Sequence, residues 1–295
     1  MTGASHRSTA AERTWLAVLF TVPAVVCVTV FWPGIHAWFQ ADDFAWLGLR
    51  LHVVDLNSFL QAMFQPMAQG TISPWSERLF FLAFQQIFGV DALPFRIWVF
   101  ITQVGNLALL AAVARRLTGS SLAALAACLC WAINASLGVP LSWTSSYNQV
   151  LCATFLLASF YCFLRYTEQG ERRWLGGTWL LFLLGFGALE LNVVFPALAA
   201  GYALCAARRY LAATLPMFVV SGLYALLHRR LAPGIESGPY LMHLDSSMFG
   251  TLAAYWQKAF GGLGLRNLDV APWLQRLGEL APWVLSSCLL VFLVS

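Results

Sequence analysis

The chain has 295 residues, 60% of them hydrophobic and 10% charged, with a mean hydropathy of +0.71. Soluble domains carry about 25% charged residues, so a soluble enzyme, a disordered protein and a coiled coil are excluded, and a polytopic helical membrane protein remains. The net charge of +4 comes from arginines scattered as singles and pairs near the ends of apolar runs; without a basic block that could track phosphodiesters, no nucleic-acid partner is expected.

Residues 1–14 read as a cytoplasmic tail. The first apolar run, Trp15 to Phe39, is too long for a signal-peptide core, and no small-residue cleavage site follows it. It reads as an uncleaved anchor, and Arg7 and Arg13 ahead of it place the N-terminus in the cytoplasm. Five apolar regions follow: Leu93–Ala114, Ser121–Leu141, Tyr147–Leu164, Trp174–Ala207 and Tyr210–Leu227. The fourth is about 34 residues long where one crossing needs about 20. One long tilted helix or a hairpin of two short helices would fit it. The hairpin, turning near Glu190 to Asn192, keeps Arg172-Arg173 and Arg208-Arg209 on one side, as the positive-inside rule favours.

The expected fold is therefore all-α: a transmembrane bundle over 15–230 with seven crossings. All acids but Glu12, Glu168 and Glu171 then fall outside. Two long outer segments, 40–91 and 231–280, carry apolar residues at near-helical spacing, as in Phe44, Leu47, Leu51 and Val54 or Trp75, Leu79 and Leu82. They read as amphipathic helices lying in the membrane interface. Residues 281–295 are still apolar at the end and read as the start of an eighth crossing, where either the natural chain continues or the gene sequence is truncated. The seven cysteines all lie in apolar runs and read as buried small hydrophobes.

The sharpest polar feature is Gln40-Ala-Asp42-Asp43-Phe44, two adjacent carboxylates just past the first crossing. Adjacent acids repel, which raises one pKa toward a general-base range; a helix cap is the plainer alternative. Glu190, alone among apolar residues, is either a functional acid or a solvated turn. Arg96, Gln103 and Asn106 share one face of a helix, suited to a polar cavity or to interhelical hydrogen bonds. Arg78, Arg229 and Arg230 either meet an anion or snorkel to the headgroups. The turn from Ser142 to Gln149 is polar and aromatic, suiting sugar contact or an ordinary interfacial belt.

An acidic pair directly after the first crossing, in a long outer loop of interfacial helices, resembles the GT-C superfamily of membrane glycosyltransferases, among them the protein O-mannosyltransferases and aminoarabinose transferases. The stretch Leu79 to Gly89 with Leu93-Pro-Phe-Arg96 resembles the family's amphipathic helix, Phe-Gly turn and following arginine. Leu189-Glu190 to Pro196 resembles its acid-then-proline pattern. The resemblance covers residues 15–260. The chain departs from it at Glu77-Arg78-Leu79, where Arg-Pro is common, at Gln103 to Asn106, where many members have a histidine, and at Leu189, where a basic residue often stands.

The resemblance implies sugar transfer from a polyprenyl-phosphate donor to a lipid, glycan or protein acceptor on the outer face of a bacterial inner membrane. Asp42 would be the general base. Asp43 would support it, or share a divalent metal where the family member uses one. Arg78, Arg229 and Arg230 would stabilise the leaving phosphate, and Glu190 and Tyr240 would contact substrate. A non-enzymatic transporter, flippase or assembly partner is the alternative; the charges cluster at the outer surface instead of the bilayer midplane, which favours surface chemistry.

Overall fold

A crossing α-helix of about 20 residues satisfies its own backbone, so apolar runs of that length fold as helices whatever their partners. The computed structural model describes residues 10–67, 71–231 and 245–259, with 276, 280, 282–284, 286 and 287. Among the described residues the regular structure is helical, apart from one isolated bridge between Met67 and Thr71. The all-α class expected from composition is the one found. Two units are distinguished: residues up to 132 with 140–233, and 133–139 with those from 234 onward.

Helices α1 (Ala10–Val30), α2 (Trp32–Ile35), α3 (Asp43–Gly48) and α4 (Leu56–Phe64) open the chain. Next come α5 (Phe80–Phe88), α6 (Ala92–Thr118), α7 (Ser121–Ala132), α8 (Gly138–Ser142) and α9 (Tyr147–Gln169). Then follow α10 (Arg172–Gly185), α11 (Phe195–Ala206), α12 (Leu215–Leu231) and α13 (Ser247–Ala259).

Among the described residues three spans are long and apolar enough to cross a membrane alone: Ala92–Thr118, Thr144–Gln169 and Arg208–Leu231. Ser121–Ala132 and Ala135–Ser142 reach that length only as a bent pair. The sequence reading expected seven crossings; some of the apolar runs behind them are broken, and the breaks have local causes. The first run breaks where α1 ends at Val30 and α2 starts with Pro33 in its first turn. The run from Ser121 breaks at Asn134, whose side chain caps a short 3-10 turn by accepting from the Ser136 amide. The 34-residue run is a pair of short helices, α10 of 14 residues and α11 of 12, separated by a turn that holds Glu190 to Val194, in line with the hairpin expected there.

Helix α9 packs along α6 and α10, α6 also packs on α7, and α7 on α1. The Trp98 indole donates to the Tyr147 hydroxyl at 2.9 Å near one end of α6 and α9, and Arg116 meets Glu168 near the other. The two helices therefore run parallel. Phe163, Phe182, Phe186, Phe195, Ala199, Ala203 and Met217 form a buried cluster across α9 to α12. Lipid is as apolar as these side chains, so shape and dispersion hold the cluster more than the expulsion of water does.

The segment after α2 folds into short helices where the amphipathic spacing anticipated them. Asp55 caps α4 by accepting from the Ser58 amide at 2.7 Å. Pro74–Leu79 forms a wide π-helical turn that runs into α5. Leu51, Val54, Leu56 and Phe64 are exposed. In the second unit, Asn134 and Ser136 donate to the Ala259 and Lys258 carbonyls at the end of α13. Cys27, Cys128 and Cys152 are buried as expected, but Cys130 and Cys205 are exposed. Tyr240 and most of 281–295 lie outside the described residues.

Candidate active site

The two adjacent aspartates take opposite surroundings. Asp42 is exposed at the start of α3, and its side chain makes no cap hydrogen bond. Asp43 is completely buried. One of its oxygens accepts from the Ser145 amide at 2.6 Å and the Ser145 hydroxyl at 2.5 Å; the other accepts from the Gln40 amide at 3.0 Å. The Arg96 guanidinium, also fully buried, lies 4.0 Å from Asp43 and donates to the carbonyls of Ala37 and Trp38. Both Asp43 oxygens thus already accept hydrogen bonds beside a cation. Those surroundings do not suit a metal ion, so no chemical step is routed through one.

Anchoring Asp43 fixes the turn that presents Asp42. Gln40 reaches Ser142 with its side-chain amide, and its carbonyl accepts from the Trp143 indole. Between these fixed points Ala41 adopts φ of +46°, the one non-glycine residue with positive φ among the described residues. That conformation costs an L-residue about 1–2 kcal/mol, and such strain persists only where neighbours enforce it.

Arg78 is fully buried, and its Nη1 donates to the carbonyls of Ala62, Met63 and Gln65, its Nη2 to that of Thr71. These include carbonyls left open at the end of α4. Its guanidinium also lies 5.9 Å from the Trp46 ring centre. Arg78 therefore braces the outer segment from within.

The π-helical turn before Arg78 sits on the turn after α10. The Trp75 amide donates to Gly187, its indole to Leu184, and the Ser76 hydroxyl to Ala188. The Trp75 indole fills the space a side chain at Gly187 would need, so only glycine admits this approach. Glu77 on the same turn is 7% exposed and accepts from the Asn148 side chain at 3.1 Å. Burial pushes its carboxyl up to about 7, the Asn148 bond pulls back, and the nearby Glu190 charge adds to the rise. Glu77 Oε2, Asn148 Oδ1 and Glu190 Oε1 are buried without a hydrogen-bond partner among the described residues. This group of acceptors suits a ligand rich in donors, such as a sugar's hydroxyls.

Arg229 and Arg230 are exposed in the last turn of α12, where the Tyr224 ring stacks at 4.3 Å on Phe186 from the turn after α10. They therefore share an end of the bundle with Glu190. Asn106 is part of the packing between α6 and α9, donating to the Val150 carbonyl and accepting from Thr154. Of the two sequence expectations for this stripe, interhelical bonding describes Asn106, and Gln103 is buried with its Nε2 unpaired. Sequence reasoning missed Glu77 and Asn148 as partners. The one sequence signal for Glu77 was its place in the Glu77-Arg78 departure from the family pattern.

A family model described as dolichyl-phosphate-mannose-protein mannosyltransferase matches residues 73–228. The match takes in Glu77, Arg78, Arg96, Asn148 and Glu190 and begins after the Asp42-Asp43 pair. No curated protein matches the chain, and no solved structure does. A match over more than half of an all-helical chain with membrane-length apolar spans settles the class: the chain belongs to the dolichyl-phosphate-mannose-protein mannosyltransferase family, and is an integral membrane glycosyltransferase of the GT-C type.

Proposed function

We propose that the protein transfers a sugar from a polyprenyl-phosphate donor to an acceptor hydroxyl at the end of the bundle that bears Asp42, on the outer face of a bacterial inner membrane, with the N-terminus in the cytoplasm. The observation that carries the reading is the split of the acidic pair. Asp43 is buried and fully bonded, and Asp42 beside it is exposed on a strained turn.

In this reading the Asp42 carboxylate takes the proton of the acceptor hydroxyl as its oxygen attacks C1 of the sugar. The bond from C1 to the phosphate oxygen breaks on the opposite side, the polyprenyl phosphate departs with the bonding pair, and C1 inverts. Arg229 and Arg230 meet the negative charge that grows on the leaving phosphate. Glu190 and Glu77, with acceptor oxygens open, hold sugar hydroxyls. Asp43 and Arg78 are positioning residues, one for the base and one for the outer segment.

The test is sugar transfer by Asp42→Asn in membranes supplied with polyprenyl-phosphate sugars. Loss of a general base costs about 10²–10⁴ in rate, so turnover should fall by at least about 100-fold while donor binding is kept. Full turnover would remove Asp42 from the mechanism.

A further inference from the structure

At the end of the bundle away from Asp42, a cavity of about 360 Å³ is lined by Thr167, Glu168, Tyr202, Arg208, Arg209 and Tyr210, with Ala206 and Ala207. It lies where the span Thr144–Gln169 ends and the span Arg208–Leu231 begins. Its depth is therefore that of the boundary between hydrocarbon and headgroups. A volume of this size is at the small end for ligand cavities and fits a headgroup, not a whole lipid.

The lining is built for an anion. Arg208 donates from Nε to the Leu204 carbonyl at 3.0 Å, which fixes its stem and leaves the outer guanidinium edge for a ligand. The Arg209 guanidinium lies 4.7 Å from the ring centre of Tyr210, which itself packs edge-on against Tyr166 at 4.9 Å. Among the described residues neither arginine pairs with a carboxylate. The one acid in the lining, Glu168, is already neutralised by Arg116 at 2.6 Å. Tyr202 and Thr167, whose oxygens are 3.5 Å apart, add hydroxyls at the wall. Two arginines in a polar notch at headgroup depth, with their local acid taken, leave a positive site with no internal counter-ion.

We propose that this cavity binds the phosphate of an anionic membrane lipid. The guanidinium groups of Arg208 and Arg209 take the phosphate oxygens, and the acyl chains run along the exposed apolar surface of α11 and α12. A soluble phosphate ester offers the same oxygens, but the cavity's depth between two membrane spans favours a lipid already lying there.

The experiment compares the full chain in nanodiscs of phosphatidylcholine mixed with phosphatidylglycerol, reading retained lipid by native mass spectrometry. The unaltered chain should retain phosphatidylglycerol in preference to phosphatidylcholine. The double variant Arg208→Gln, Arg209→Gln should lower that preference by roughly 30-fold, from about 1 kcal/mol for each basic residue at an anionic surface. Arg172→Gln with Arg173→Gln removes equal charge at the same end and should keep the preference. Arg209→Gln alone leaves the Arg208 anchor intact and should lower it about fivefold, which carries the test if the double variant fails to assemble. Equal loss in the Arg172, Arg173 pair, or full retention without Arg208 and Arg209, would overturn the proposal. In phosphatidylcholine nanodiscs, glycerol 3-phosphate should raise the unfolding temperature far less than phosphatidylglycerol does; an equal rise would assign the cavity to a soluble ester and overturn the lipid.

Discussion

The two ends of the α6–α9 bundle hold charge in opposite ways. At the end with Asp43 four charges are inside, Asp43, Glu77, Arg78 and Arg96 all being buried, beside the exposed Asp42, Arg229 and Arg230. At the other end they are outside: Arg116 and Glu168 are 26% and 39% exposed, and Arg165, Arg173 and Arg209 lie over aromatic rings. A buried charge is costly unless its neighbours were arranged for it, whereas an exposed arginine at a membrane boundary needs only water and headgroups. Arranged charge marks the end where chemistry is proposed. Solvated charge predominates at the other end.

The sharpest way to break this contrast is to unpair the buried end. Arg96→Met leaves Asp43 as a buried carboxylate without its cation, and should cost about 3–5 kcal/mol, read as a large fall in the unfolding temperature in nanodiscs. If Arg96→Met unfolds no more easily than Arg116→Gln, the distinction between the ends fails.

The next largest effect tests Glu77. Its folded pKa of about 7 lies above the ordinary 4.5, so the folded state holds a proton that the unfolded state has released. Stability should therefore fall as pH rises from about 4.5 to about 7, then level off, by about 3 kcal/mol in all. Glu77→Gln should flatten that slope and be the more stable form at pH 8; denaturant titration at several pH values checks both. An unaltered slope in the variant would assign the titration to another group.

Effects at the exposed end should be smaller. Arg116→Gln breaks a surface pair and should cost less than about 1 kcal/mol, by the same unfolding measurement and more weakly at high salt. Ala41→Gly should be smaller still. Relief of the positive φ is offset in part by the extra freedom of glycine when unfolded, so the unfolding temperature should stay level or rise slightly. Ala41→Val, branched where φ is positive, should lower it. A marked loss in Ala41→Gly would mean that the turn is not strained.

The sequence showed the bundle more clearly than the site. Apolar runs long enough to span, with arginines at one set of ends, are local signals, and α6, α9 and α12 follow from them. The short helices after α2 were legible for the same reason, since period alone marks them. The breaks at Pro33 and Asn134 were less so, because mean hydropathy is blind to them, whereas the turn near Glu190 followed from the paired arginines on either side of it. Asp42 and Asp43 are identical in type and adjacent, and nothing local says which one Arg96 and Ser145 will bury. The Glu77–Asn148 bond joins elements 71 residues apart, a distance across which a single sequence carries no signal.

The seat of Trp75 on Gly187 has a mechanical consequence. The indole, the Trp75 amide and the Ser76 hydroxyl key the segment after α4 to the turn between α10 and α11. Arg78, three residues on, grips the end of α4 and faces Trp46 on α3, the helix that opens with Asp43. A continuous line of contacts therefore runs from the α10–α11 turn through the indole and the guanidinium to α3. The bulk at Trp75 and the missing side chain at Gly187 fit as tooth and notch, and a methyl at Gly187 would break that fit without touching a single charged group.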